Sequence, residues 1–133
     1  KMYTPNAIVN GCINDFMVFA TEYDSAEGAP SEKFKCIYEV IGDNNHLIGS
    51  NESEFVENAK SNITRKMVAV EMESAGIMCG AYLAGVDAKC SNVIVIRGIS
   101  DYADADKPHD NKYHYPAAYN AAKILSELFN SLI

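Results

Sequence analysis

Residues 67–101 read MVAVEMESAGIMCGAYLAGVDAKCSNVIVIRGISD, and the reading of this stretch decides the fold. Residues 67–70 form an apolar, strand-sized run that meets Glu71-Met72-Glu73. A helix is predicted from there to about Tyr82, with Ala75, Met78, Cys79 and Tyr82 at helical spacing and Gly85 standing where a C′ residue belongs. A second apolar run, residues 93–96, predicts another strand that ends in Arg97-Gly98-Ile99-Ser100-Asp101. Together these predict one βαβ unit, close to the roughly 30 residues that a right-handed parallel crossover needs. Parallel neighbours bring their carboxyl ends to one edge of a sheet, where ligands bind in open α/β folds. Glu73 and Asp101 are therefore expected to face one crevice.

Outward from this unit, residues 7–9, 16–21 and 34–40 are rich in Val, Ile, Phe and Tyr and predict strands, and residues 46–49 another brief one. Between them, residues 23–31 (YDSAEGAPS) read as a loop and residues 42–45 (GDNN) as a turn. Ser50 or Ser53 offers an N-cap, with acids in the first turn, for a short helix through about Lys60. After Asp101 a polar loop leads to His114. Pro116 is the expected first residue of a final helix carrying Ala117, Ala121, Ile124, Leu125, Leu128 and Leu132 on one stripe. The whole chain, 1–133, reads as a single α/β domain, a mixed twisted sheet flanked by helices.

Composition narrows the function. The chain has 133 residues, 48% of them hydrophobic, which suits one domain with its own core. Eighteen acidic against eleven basic side chains give a net charge of −7, which repels polyphosphate backbones and anionic membrane surfaces. Neither nucleic acid nor membrane is an expected partner. Cysteines stand at 12, 36, 79 and 90 without a CxxC pair or companion histidines, so neither a metal site nor a disulfide framework is signalled, and a reducing, cytoplasmic setting fits. The longest apolar runs are strand-sized and no basic-then-apolar leader is present, while the opening at Lys1 suggests a fragment.

Two other patterns are weaker. The loop acids Asp101, Asp104, Asp106 and Asp110 invite a calcium reading, but the central Gly and closing Glu of an EF-hand loop are missing, and His109 and His114 beside them read as solvated. Gly76 and Gly80 allow close helix packing; no GxGxxG or GK[ST] pattern accompanies them.

Three segments taken together carry a resemblance: VEMESAG (70–76), VIRGISDYAD (95–104) and YPAAYNAAKILSEL (115–128). They resemble the C-terminal half of the purine and uridine phosphorylase superfamily, which includes the methylthioadenosine and adenosylhomocysteine nucleosidases. The likeness runs from Ser50 onward. The tail DYADADKPHDNKYHYPAAYNAAK (101–123) is most similar to a branch found in large fungal multidomain proteins. In that superfamily a preceding half supplies the first strands and the glycine-rich loop that holds phosphate or positions the attacking water, and nothing here replaces it.

The resemblance implies cleavage of a nucleoside's N-glycosidic bond. Such cleavage needs charge relief on the departing base and support for an oxocarbenium-like sugar. Asp101, next to Ser100, matches the general acid that protonates the purine at N7, a role that needs a partly desolvated carboxyl. Glu73 matches the carboxylate that accepts hydrogen bonds from the 2′ and 3′ hydroxyls of ribose, and Met72 the residue beneath the sugar. Phe55 stands where the family has a base-stacking aromatic, although a Phe early in a helix also reads as core. Arg97 would buttress Asp101 or the sugar end, or answer a structural partner.

The plainer reading of Glu71 and Glu73 is a pair of acids favoured at a helix N-terminus, and only one of the two can face the crevice across Met72. Of the pair, Glu73 is the expected ligand. No cofactor or metal is implied, and phosphate would be the co-substrate if the reaction is a phosphorolysis. A truncated sheet exposes an edge, so the chain is expected to form a homo-oligomer or dock on a missing N-terminal half. The alternative, from a different class, is a non-catalytic nucleoside-binding or assembly module.

Overall fold

The computed structural model describes residues 7–19, 22–43, 54–62, 65–84, 93–101 and 111–133. The strand expected at 46–49, the caps Ser50 and Ser53, Gly85, and the loop acids Asp104, Asp106 and Asp110 with His109 lie outside the described residues. Among the described residues the chain forms four helices and two small two-stranded sheets, a mixed α/β architecture.

Helix α1 (Ala7–Phe19) stands where strands were expected at 7–9 and over 16–19 of the run 16–21, whose last two residues, 20 and 21, lie outside the described residues. Its β-branched and aromatic residues suggested extended chain, yet Ile13 is buried with Phe16 and Met17 half-buried beside it. That is the i, i+3, i+4 spacing of a helix face, and burial of that face outweighs local propensity.

A hairpin follows. Strands β1 (Glu22–Asp24) and β2 (Lys33–Lys35) pair antiparallel, with Tyr23 opposite Phe34 and their ring centroids 5.5 Å apart. On the other face Glu22 meets Lys35 at 3.4 Å and Asp24 bonds Lys33. These pairs stand in solvent, so they fix register more than they stabilise. The bond from Lys33 holds the Asp24 carboxyl below its ordinary range and pushes the Lys33 ammonium up. The loop expected from Tyr23 thus begins only at Ser25, whose N–H donates to the Glu32 carbonyl at 2.9 Å. Gly28, at φ 81°, takes the left-handed turn position inside it.

The run 34–40, expected as one strand, is split: β2 ends at Lys35 and β3 (Val40–Asp43) begins a second sheet. Gly42 and Asp43, expected in a turn, therefore lie in β3. From β3 the chain reaches α2 (Glu54–Asn62) and then β4 (Met67–Glu71), which pairs with β3 in parallel. This is the βαβ unit of the fold, one crossover earlier than the sequence suggested. Val56 and Ala59 of α2 bury against Met67, with Val40 and Val70 packed on them.

Residues 93–96 form no strand. The ladder partner of β4 is β3, and the Val-Ile-Val-Ile run satisfies its apolar character by half-burial alone, which periodicity cannot distinguish from pairing.

Helix α3 (Ser74–Ala84) follows β4 as expected, with Met78 buried. Helix α4 (His114–Ser131) starts two residues before Pro116. A first-turn Pro costs nothing there, because that N–H has no intrahelical acceptor. Ala117, Ile124 and Leu128 bury on the inner face of α4, which contacts α1, whereas Leu125 and Leu132 of the expected stripe face outward. The hairpin lies along the same helix, where the Asn120 side-chain amide donates to the Ser25 hydroxyl at 3.5 Å. Among the described residues no helix is long and apolar enough to cross a membrane.

Candidate functional site

The turn between β4 and α3 is built around one carboxylate. Glu71 is the last residue of β4, and its side chain is only 9% exposed. One of its oxygens accepts from the Ser74 backbone N–H at 2.6 Å and from the Ser74 hydroxyl; the other accepts from the Glu73 N–H at 3.1 Å. Those N–H groups open α3 and have no intrahelical acceptor, and an anion there also meets the positive end of the helix dipole. The Glu73 carbonyl takes the first bond of the helix, from Ile77.

Segment 93–101 closes on this turn through Arg97. One guanidinium nitrogen, Nη2, donates to Glu71 and, at 3.0 Å, to Glu73. Residues 24 and 26 positions apart in sequence thus meet at one point. The two acids differ sharply in setting. Glu71 is surrounded by donors, whereas the Glu73 side chain is 66% exposed and presents carboxylate acceptor sites to solvent beside a fixed cation. The neutral partner of both sequence readings is here too, since Met72 is exposed between them.

Glu71→Gln is the first prediction. The amide keeps the shape but lacks one anionic oxygen for four donors, so unfolding should cost about 1–2 kcal/mol less than in the parent. Urea unfolding measures this, and an unchanged midpoint would mean that the carboxylate does not hold the turn.

Ser100 and Asp101 end the same segment, half-buried, with the Ser100 hydroxyl donating to Asp101 Oδ2 at 3.2 Å. Arg97, Glu71 and Glu73 are brought together, and Asp101 meets Ser100. Phe55 lies in the first turn of α2, and its side chain is outside the described residues. Arg97 was expected to answer Asp101, the sugar end or a structural partner; its double bond to the acids of the β4–α3 turn is a contact that spacing alone does not reveal.

A cavity of about 350 Å³ lies behind this segment, lined by Ile13, Phe34, Ile94, Ile96, Arg97 and Ile124 among others. Neither Glu73 nor Asp101 lines it. Cys36 borders it, and burial pushes its thiol up, away from the reactive thiolate. Cys12, Cys36 and Cys79 are free thiols, and among the described residues no group of three or more His, Cys, Asp or Glu could hold a metal ion. Comparisons of the chain with family models, with curated proteins and with solved structures find no match.

Proposed function

We propose that this domain is the C-terminal part of a nucleoside phosphorylase or nucleosidase and takes part in cleaving the N-glycosidic bond of a purine nucleoside. The observation that carries the reading is the meeting of its two motifs: Arg97 of IRGISD binds both acids of VEMES. In this reading Glu71 shapes the turn, which leaves Glu73 to accept the ribose 2′ and 3′ hydroxyls, with Met72 beneath the sugar and Phe55 against the base. Arg97 orients Glu73 through the bond at 3.0 Å. Asp101, turned by Ser100, protonates the purine at N7, the C1′–N9 electron pair leaves with the base, and either a phosphate oxygen bonds C1′ or a water oxygen does so and gives up its proton to solvent. No cofactor is needed beyond phosphate in the phosphorolytic case, and the mixed sheet of the superfamily and a cytoplasmic setting belong to the same proposal.

A second reading is favoured by the exposure of Glu73 and Met72, because an open site does not exclude water from a departing base. On it, the chain binds nucleosides without cleaving them. A product assay on purine nucleosides with and without phosphate separates the two. Free base with ribose 1-phosphate identifies a phosphorylase, and free base with ribose a hydrolase. Binding without any released base supports the module.

Glu73→Gln tests the sugar contact directly. Removing the charge weakens ribonucleosides about tenfold, the worth of one hydrogen bond to an ionised acceptor, and leaves free base unaffected. Calorimetric titration with ribonucleoside and 2′-deoxynucleoside checks it, and equal losses for both would refute the assignment.

A further inference from the structure

The outer face of α4 carries a second apolar stripe that no described element covers. Tyr115, Tyr119, Leu125 and Phe129 point outward and are 40 to 68% exposed, with Ala118, Ala122 and Ser126 exposed between them. No charge interrupts the stripe. The two charges in the body of the helix, Lys123 and Glu127, act on the hairpin instead: Lys123 helps hold the Asp24 carboxyl down, and Glu127 adds to the burial that pushes the Tyr23 phenol up.

The order of large and small residues on this face is symmetric about Ala122. Seven positions to either side stand Tyr115 and Phe129, four and four stand Ala118 and Ser126, and three and three stand Tyr119 and Leu125. A helix with this order, turned end for end about Ala122, sets Tyr115 on Phe129, Tyr119 on Leu125 and Ala118 on Ser126, large on large and small on small, which is the requirement of a two-fold, self-complementary interface. An arbitrary partner needs no such order. Tyr115 and Tyr119 already stack, with ring centroids 6.4 Å apart, so less side-chain freedom is lost on contact.

The area is that of a weak, reversible dimer. With about 150–250 Å² for a whole aromatic side chain, the exposed fractions of Tyr115, Tyr119, Leu125 and Phe129 offer roughly 400 Å² per copy, so two copies bury about 800 Å², the range of transient contacts.

The geometry points to an antiparallel homodimer in which α4 packs on α4 of a second copy, with Ala122 at the two-fold axis. Each copy carries −7, so association tightens as salt screens the repulsion.

Sedimentation velocity of the whole chain from about 1 to about 100 µM tests this, with dimer expected within that range. Ala122→Glu sets two carboxylates against each other at the axis and should weaken the dimer at least about tenfold, with thermal unfolding showing the fold retained. Tyr115→Lys alone or Phe129→Glu alone should also weaken it. Combined in one chain they should restore it, because each new ammonium then faces a carboxylate of the other copy, while within one helix the two stand roughly 21 Å apart. A parent that stays monomeric throughout overturns the proposal. So does a dimer indifferent to Ala122→Glu, or a double variant no better than the singles, since a parallel or heterologous contact would bring neither pair together. Should Ala122→Glu not fold, the exchange of charges between 115 and 129 decides alone.

Discussion

On the proposed function, Asp101→Asn should lower turnover on purine nucleosides by about two orders of magnitude or more, while an N7-alkylated purine nucleoside should be cleaved almost as well as by the parent. The amide fills the space of the acid and still meets the Ser100 hydroxyl, which donates to Asp101 Oδ2 at 3.2 Å. What it lacks is a transferable proton. A neutral purine leaves as an anion unless N7 is protonated as the C1′–N9 bond breaks, and the cost of that anion is the barrier the acid removes. An N7-alkylated base carries its positive charge beforehand and leaves neutral, so the acid has nothing to add. Single-turnover rates on both substrates, with affinities measured separately, make the comparison independent of product release. Equal damage to both substrates would assign Asp101 a purely structural part in the segment and place the general acid elsewhere.

The comparison of Asp101 with Glu71 shows what sequence could and could not carry. The positions of β4 and α3 were legible, because a strand-sized apolar run, two acids and a helical repeat follow one another without ambiguity. The helical start of 54–62 and the final helix were legible for the same reason. The partner of β4 was not. Residues 93–96 have the composition of a buried strand, but composition reports burial and not which backbone supplies the hydrogen bonds, and β3 does so. Helix α1 was not legible either, because the aromatic and β-branched residues around Ile13, Phe16 and Met17 favour strand while only their spacing favours helix. The hairpin carries its signal in charge. Glu-Tyr-Asp and Lys-Phe-Lys are mirror patterns of opposite charge, as expected of facing strands. At the candidate site the resemblance alone singled out Glu73 of the two acids, and the fold separates them physically by burying Glu71 among donors and leaving Glu73 in solvent beside Arg97. Three of the four donors to Glu71 come from Glu73 and Ser74, within three residues of it; the part beyond any local pattern is Arg97, more than twenty residues away, which bonds both acids.

The same segment makes Gly98→Ala the most damaging single-methyl change in the chain's described glycines, with an expected loss of about 3 kcal/mol. A Cβ built on Gly98 would overlap the carbonyl oxygen, carbonyl carbon and Cα of Ala117. All three are backbone atoms in the first turn of α4, where the Ala117 N–H is itself bonded to Tyr113 O at 3.0 Å. A helix backbone cannot step aside as a side chain can, so the segment must move instead, and Arg97 and Asp101 flank the glycine on it. Stability and the Arg97 contacts should therefore be lost together. The other glycines calibrate the effect. At Gly42 the nearest atom is the Met67 sulfur, the end of a flexible but buried side chain, and the cost should be about 1–2 kcal/mol. At Gly76 and Gly80, inside α3, no atom lies within 4 Å, and Ala should stabilise by about 0.5–1 kcal/mol each through helix propensity alone. Urea unfolding of the four variants gives the order, with midpoints falling for Gly98→Ala and Gly42→Ala and rising for Gly76→Ala and Gly80→Ala. If Gly98→Ala unfolds at the parent's midpoint, segment 93–101 does not lie against α4, and the route by which Arg97 reaches Glu71 and Glu73 would have to be drawn differently.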